Sequence, residues 1–142
     1  MHIEMASLSK AERYFRMIDV VVPRPIAWVS TQSKTGIRNL APFSFFTGVS
    51  AIPPCVVLSV APQRDGQSKD TLFNIKATEE FVVNMVSRQL ARPMVETSVV
   101  FDAQEDEFER CGVESAGSQW VKPHRVLGAE AAFECKLHSL HE

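Results

Sequence analysis

A run that begins Ser68-Lys69-Asp70-Thr71 and continues Leu72-Phe73-Asn74-Ile75-Lys76 has the ingredients of an anion cradle. The first turn of a helix presents unpaired N–H groups and the positive end of the helix dipole. Ser68 and Thr71 add hydroxyl donors and Lys69 adds a full charge, so a phosphate could be held there. The same residues also describe an ordinary helix start, with Ser68 or Asp70 as the cap and the lysine in water. A second group, Asn39-Leu40-Ala41-Pro42-Phe43-Ser44-Phe45-Phe46, sets two hydrogen-bonding side chains, Asn39 and Ser44, among flat apolar ones. It suits a ring with a polar edge. It equally suits a core strand whose polar residues satisfy backbone groups. A third group is Pro23-Arg24-Pro25, where two prolines hold an arginine stiffly enough to meet an anion or a partner subunit. A solvated surface arginine fits it as well.

Other chemistry is weakly represented. His138 and His141 lie near the end of the sequence, where solvent exposure is expected, and His124 after Pro123 is a surface residue or a proton donor. The acidic run Glu105-Asp106-Glu107 with Glu109 is expected to be a solvated helix face. No GxGxxG, GxxxxGK[ST], HExxH or GxSxG motif occurs, which disfavours a Rossmann site, a P-loop, a zincin and an α/β-hydrolase.

The elements that must position these residues follow from pattern. Ser9 with Glu12 three residues on predicts a capping box and a short helix to Met17, with Tyr14, Phe15 and Ile18 inward. Ile26–Thr31 reads as a strand, and Gln32 to Gly36 as a hairpin turn with glycine where positive φ is wanted. Ile37 to Ala41 begins the returning strand. Phe43 to Ser50 is β-prone and is stopped by Ile52-Pro53-Pro54. Cys55 to Val60 is nearly all apolar, as in a strand buried on both faces. Gln63 to Gln67 is a polar loop. Glu80 to Val86 is a strand, Gln89 to Val100 a mixed helical and loop segment, and Glu105 to Arg110 a short helix stopped by Gly112. Val113 to Arg125 is loop-like, and Val126 to Leu140 a last strand interrupted near Gly128. Without βαβ alternation, the pattern points to an antiparallel barrel or a mixed α+β domain.

Composition sets the frame. The 142 residues are 45% hydrophobic and 23% charged, which suits one folded domain. The net charge of −2 recommends no nucleic-acid partner. The apolar stretch Val20 to Val29 is broken by Pro23, Arg24 and Pro25, so no membrane span is expected. Met1 to Ser9 reads as having no signal peptide. Three cysteines, an odd number without a CxxC pair, suggest reduced thiols in a cytoplasmic protein and no structural zinc or other metal site. Cys55 and Cys135 are expected in the core.

Taken together, the segments resemble the flavin reductase-like family of FMN-binding split barrels. The resemblance runs through Pro23 to Thr31, the Gly36 turn, Asn39 to Phe46, Pro53-Pro54, Lys69-Asp70-Thr71, Asn74-Ile75 and Glu80 to Asn84. It continues at Phe108 to Gly112 and at Phe133 to Cys135, and covers roughly residues 10 to 137. It implies a mainly β fold, a Greek-key split barrel with added helices. It also implies a homodimer with FMN near the subunit interface and NAD(P)H as a possible electron donor. By position, Ser30, Thr31, Asn39, Ala41 and Ser44 would lie by the flavin, and Ser59 and Val60 would end a strand beside its ring. Ser68, Lys69 and Thr71 would hold the phosphate, with Arg24 a further candidate. The family usually continues beyond the point matching Glu142, so residues 1–142 are expected to form one FMN-binding domain that lacks or truncates its C-terminal strands. The implied activity is an NAD(P)H-dependent FMN oxidoreductase with no catalytic side chain assigned. The alternatives are a non-catalytic flavin-binding or carrier protein, and an interaction domain without a cofactor.

Overall fold

The structure is a computed structural model that describes residues 2–63 and 66–141; residues 64 and 65 of the expected Gln63–Gln67 loop lie outside the described residues. Its centre is a four-stranded antiparallel sheet built from β1 (Ala27–Gln32), β2 (Arg38–Phe43), β5 (Glu80–Met85) and β8 (Ala132–Lys136), in the order β2-β1-β5-β8. A separate hairpin joins β3 (Phe46–Ala51) to β4 (Pro54–Leu58), and β6 (Ser115–Ala116) pairs with β7 (Arg125–Val126). The helices are α1 (Lys10–Val20), α2 (Asp70–Thr78), α3 (Ala91–Glu96) and α4 (Glu107–Arg110). Among the described residues all strand pairings are antiparallel, as the absence of βαβ alternation predicts.

Register divides the sheet into two faces, because successive side chains of a strand point to opposite sides. Val29 pairs with Ala41 on one side and Val83 on the other. These residues, with Ala27, Phe43 and Phe81, pack against Ile75 of α2. Trp28 and Leu40 point to the opposite face, where Met94 of α3, Phe108 of α4 and Val126 of β7 cover them. β1 therefore carries chemistry on both sides and is buried on both.

The β1–β2 turn is as expected. Ser33 N–H donates to Ile37 O at 2.8 Å, and Gly36 takes φ +95°. A Cβ added there would meet only Gln32 Nε2, at 3.7 Å, so the cost of a side chain is conformational and not steric. Gly36→Ala is expected to lower stability by about 1–2 kcal/mol, read as a shift in the urea midpoint. An unchanged midpoint would mean that the turn relaxes freely.

Several expectations need correction. The Ser9–Glu12 capping box forms, but Tyr14 and Phe15 are exposed and Ile18 is only half-buried. Helix α1 meets the body at its margin, where Tyr14 stands edge-on to Phe45 with ring centroids 6.1 Å apart. The Cys55–Val60 run is not buried on both faces. It forms β4, pairs with β3 alone, and leaves Val57 exposed. An apolar run specifies a strand but not a second layer to cover it. Cys55 and Cys135 are half-buried, not core. The Val113–Arg125 segment contributes two short strands, and the last strand is confined to Ala132–Lys136.

Candidate functional site

Helix α2 begins without a side-chain cap. Lys69 is its N-cap residue, and neither Ser68 nor Asp70 caps it. Phe73 N–H reaches back to Lys69 O at 3.0 Å. The amides of Asp70, Thr71 and Leu72, which an α-helix cannot pair internally, are left available. The Lys69 ammonium stands 5.4 Å from the centroid of the Phe43 ring, a cation–π distance. It does so because Phe43 ends β2 on the face that α2 covers. A cleft of about 100 Å³ opens at this point, lined by Lys69, Asp70 and Thr71, by Asn39 and Ala41 of β2, and by Thr97, Phe101 and Glu107.

Beneath the cleft runs a buried polar chain. Thr71 Oγ1 donates to Asn39 Oδ1 at 2.8 Å, and Thr31 Oγ1 donates to the same oxygen at 3.2 Å. Asn74 Nδ2 donates to Thr31 Oγ1 at 3.1 Å. These bonds tie β1, β2 and α2 together at one level, since Thr31 is paired with Asn39 in the sheet. They also commit the groups involved. Both lone pairs of the Asn39 oxygen are used, and the Thr71 hydroxyl proton is spent inside the fold. Thr71 thus offers a cleft ligand its backbone N–H, not the hydroxyl donor expected from sequence.

Glu107 was expected on a solvated face and is instead 6% exposed. It caps the free edge of β2 by accepting the Leu40 N–H, and it also accepts from the Asn39 side chain. Burial pushes its carboxyl up to about 7, with the nearby Asp70 charge adding to the rise. Sequence could not single it out among four neighbouring acids. Only the packing of Phe108, 1% exposed under Trp28 and Leu40, fixes the helix rotation that turns Glu107 inward. Arg38 holds the N-cap residue of α4 and its second acid, with Nε 2.5 Å from Asp106 and Nη2 3.1 Å from Glu109.

The remaining candidates are not among the residues that line this cleft. Ser30 points to the opposite face of the sheet from Thr31. Its hydroxyl donates to His124 O at 2.5 Å, and Asn84 Nδ2 donates to its oxygen at 3.3 Å. Strand alternation forbids these two side chains from lining one site. Arg24 folds back on α1, donating through Nη1 to Ile18 O at 2.7 Å and Val21 O at 2.5 Å, so it serves as a helix C-terminal anchor. Ser68 is exposed, and its hydroxyl reaches only the neighbouring Lys69 O at 3.4 Å. Ser44 sits in the short link between β2 and β3, and Ser59 follows β4, held by its N–H to Phe45 O at 2.9 Å. Val60 packs on the Phe43 cluster. The residues that sequence reasoning missed are Thr97, Phe101 and Glu107.

An uncapped helix start beside an ammonium fits a ligand with an anionic end. Residues 20–142 match the family model described as the flavin reductase like domain. An uncharacterized protein of Aquifex aeolicus is 46% identical over 125 residues, covering 88% of this chain and 64% of that protein. The solved 2-nitrobenzoate 2-nitroreductase of Pseudomonas fluorescens is similar at TM-score 0.86 and 35% identity, over 98% of this chain and 66% of the other. Nitrilotriacetate monooxygenase component B of Bacillus cereus is similar at TM-score 0.92 and 29% identity, over 98% and 68%. The chain spans less than two thirds of the length of several relatives it matches. Among the described residues no helix is long and apolar enough to cross a membrane.

Proposed function

The chain belongs to the flavin reductase-like family, and on that premise we propose that it is an FMN-binding oxidoreductase passing hydride or electrons between NAD(P)H and flavin or a further acceptor. The observation that carries this reading is the position of Lys69. Its ammonium lies at the open start of α2, on the Phe43 ring and in one cleft with Asn39 and Ala41. FMN has a phosphate for the helix start and its ammonium, and a tricyclic ring that would lie toward Asn39 and Ala41. The bound flavin would supply the redox chemistry, and the protein binding and orientation. Lys69 and the amides of Asp70, Thr71 and Leu72 would hold the phosphate. Asn39 keeps Thr71 and Glu107 in place with the bonds described above. The Ser44, Ser59 and Val60 group, next to Phe43, would border the ring. Ser30, Ser68 and Arg24 receive no role at the cleft from their side-chain partners.

We assign the functional unit as a homodimer in the cytoplasm. Exposed Val49, Ile52 and Val57 on the β3–β4 hairpin support association, which light scattering tests directly.

Lys69→Ala is expected to weaken FMN binding by about 1.5–3 kcal/mol, the worth of a charge-assisted contact. Quenching of flavin fluorescence measures it, and equal affinity in the two proteins would remove the phosphate site from Lys69. Anaerobic mixing of the FMN-loaded protein with NADH or NADPH then tests catalysis. Bleaching of the flavin absorbance is expected, whereas bound but unreduced flavin would assign the chain as a carrier.

A further inference from the structure

Glu107 lies where two clefts meet. The cleft beside Lys69 and a larger one of about 310 Å³, between α2, the β1–β2 turn and residues 102–105, share Asn39, Asp70 and Glu107. Among the described residues no cation pairs with Glu107. Arg38, on the adjacent β2, is taken by Asp106 and Glu109, and the Lys69 ammonium rests over Phe43. The titratable groups that face it are Asp70 from α2, Asp106 at the start of its own helix, and the Cys111 thiol just past that helix. Both carboxylates repel charge on Glu107. An anion placed at Lys69 would add a further negative charge at the edge of this weakly hydrated interior, where such repulsion is strong.

We propose that the cleft takes up its phosphate-bearing ligand together with a proton on Glu107, so that this carboxyl contributes a fall in ligand affinity as pH rises. The inference rests on the reading of Lys69 as the partner of the anion. Neutral Glu107 removes the repulsion while it still accepts the Leu40 N–H, so the β2 edge stays capped in both forms. Burial has already brought the carboxyl to about 7, so near neutrality it is divided between its two forms. The phosphate works in the opposite direction. It loses its second proton near pH 6 and gains attraction for an ammonium as pH rises. The two contributions are therefore separable by sign.

The test is calorimetric titration of FMN, with riboflavin as the ligand lacking phosphate, at pH 7 in two buffers of different ionisation enthalpy. FMN is expected to bind with uptake of about half a proton, since a group with a pKa of about 7 is half-protonated there. Riboflavin is expected to bind without uptake. In Glu107→Gln the uptake disappears. Between pH 6 and pH 8 the affinity of the native protein for FMN should fall several-fold relative to that variant. FMN binding without proton uptake by the native protein overturns the proposal and leaves the Lys69 site standing, and this outcome needs no variant to fold. Parallel pH profiles for the native protein and Glu107→Gln overturn it equally. Failure of both flavins to bind at any pH removes the reading of the site, and the proposal with it.

Discussion

Trp28→Ala is expected to cost about 3–5 kcal/mol of folding stability, the range for deleting a large buried aromatic side chain. Trp28 is fully buried and is surrounded by Leu40, Met94, Phe108, Val113 and Val126. These neighbours come from the sheet, from α3 and α4, and from the segment after α4 that includes β7, so a void there cannot close by moving one element. The indole also has a directed role. Its Nε1–H donates to Thr97 Oγ1 at 2.8 Å, and the Thr97 hydroxyl donates onward to Met94 O at 2.8 Å. Thr97 lines the Lys69 cleft and is 1% exposed. The core on one face of the sheet thereby holds a wall of the ligand site on its edge. Trp28→Phe separates the two contributions. It keeps most of the apolar volume, removes the N–H donor, and should cost about 1–2 kcal/mol. Urea titration of the three proteins checks the series, and equal losses for alanine and phenylalanine would place the whole effect in the hydrogen bond.

Glu107→Gln is expected to raise stability by an amount that grows with pH. The folded-state carboxyl is raised to about 7 from an ordinary value of 4.5, chiefly by burial. Below pH 4.5 it is protonated in folded and unfolded chains alike and costs nothing. Between 4.5 and 7 the folded protein retains a proton that the unfolded chain releases, so stability falls as pH rises through that window. Above 7 the penalty is fully present, at about 3 kcal/mol from the size of the shift. Glutamine has no charge to desolvate and still accepts from Leu40. Relative to the native protein, the variant should therefore gain about 3 kcal/mol between pH 4 and pH 8, with the advantage greatest at the alkaline end. Denaturant midpoints at the two pH values measure the difference, and a constant offset would show that Glu107 is not a strained charge.

The charged helix start at Lys69, where we propose the phosphate site, was legible because its cause is local. A lysine beside the first turn of a helix brings charge and free amides together whatever the rest of the chain does. The capping box at Ser9 and the turn at Gly36 were legible for the same reason, each being decided within a few residues. The apolar and β-branched runs likewise determined β1, β2, β4 and β5 to within two residues, and ordered family-like segments pointed to the fold before any contact was known.

Tertiary structure alone decided which polar groups remain free to act. Thr71 is distant in sequence from Asn39, and only the placement of α2 turns its hydroxyl onto the Asn39 oxygen that Thr31 meets across the β1–β2 hairpin. Ser30 and Thr31 are adjacent in sequence yet serve opposite faces, because a strand alternates. Glu107 is indistinguishable from its acidic neighbours until Phe108 finds its place in the core and rotates it onto the β2 edge. Sequence fixes the chemical kind of each side chain, while burial and the partners supplied by distant segments determine whether a donor is available, an acid is charged or a cation faces the cleft.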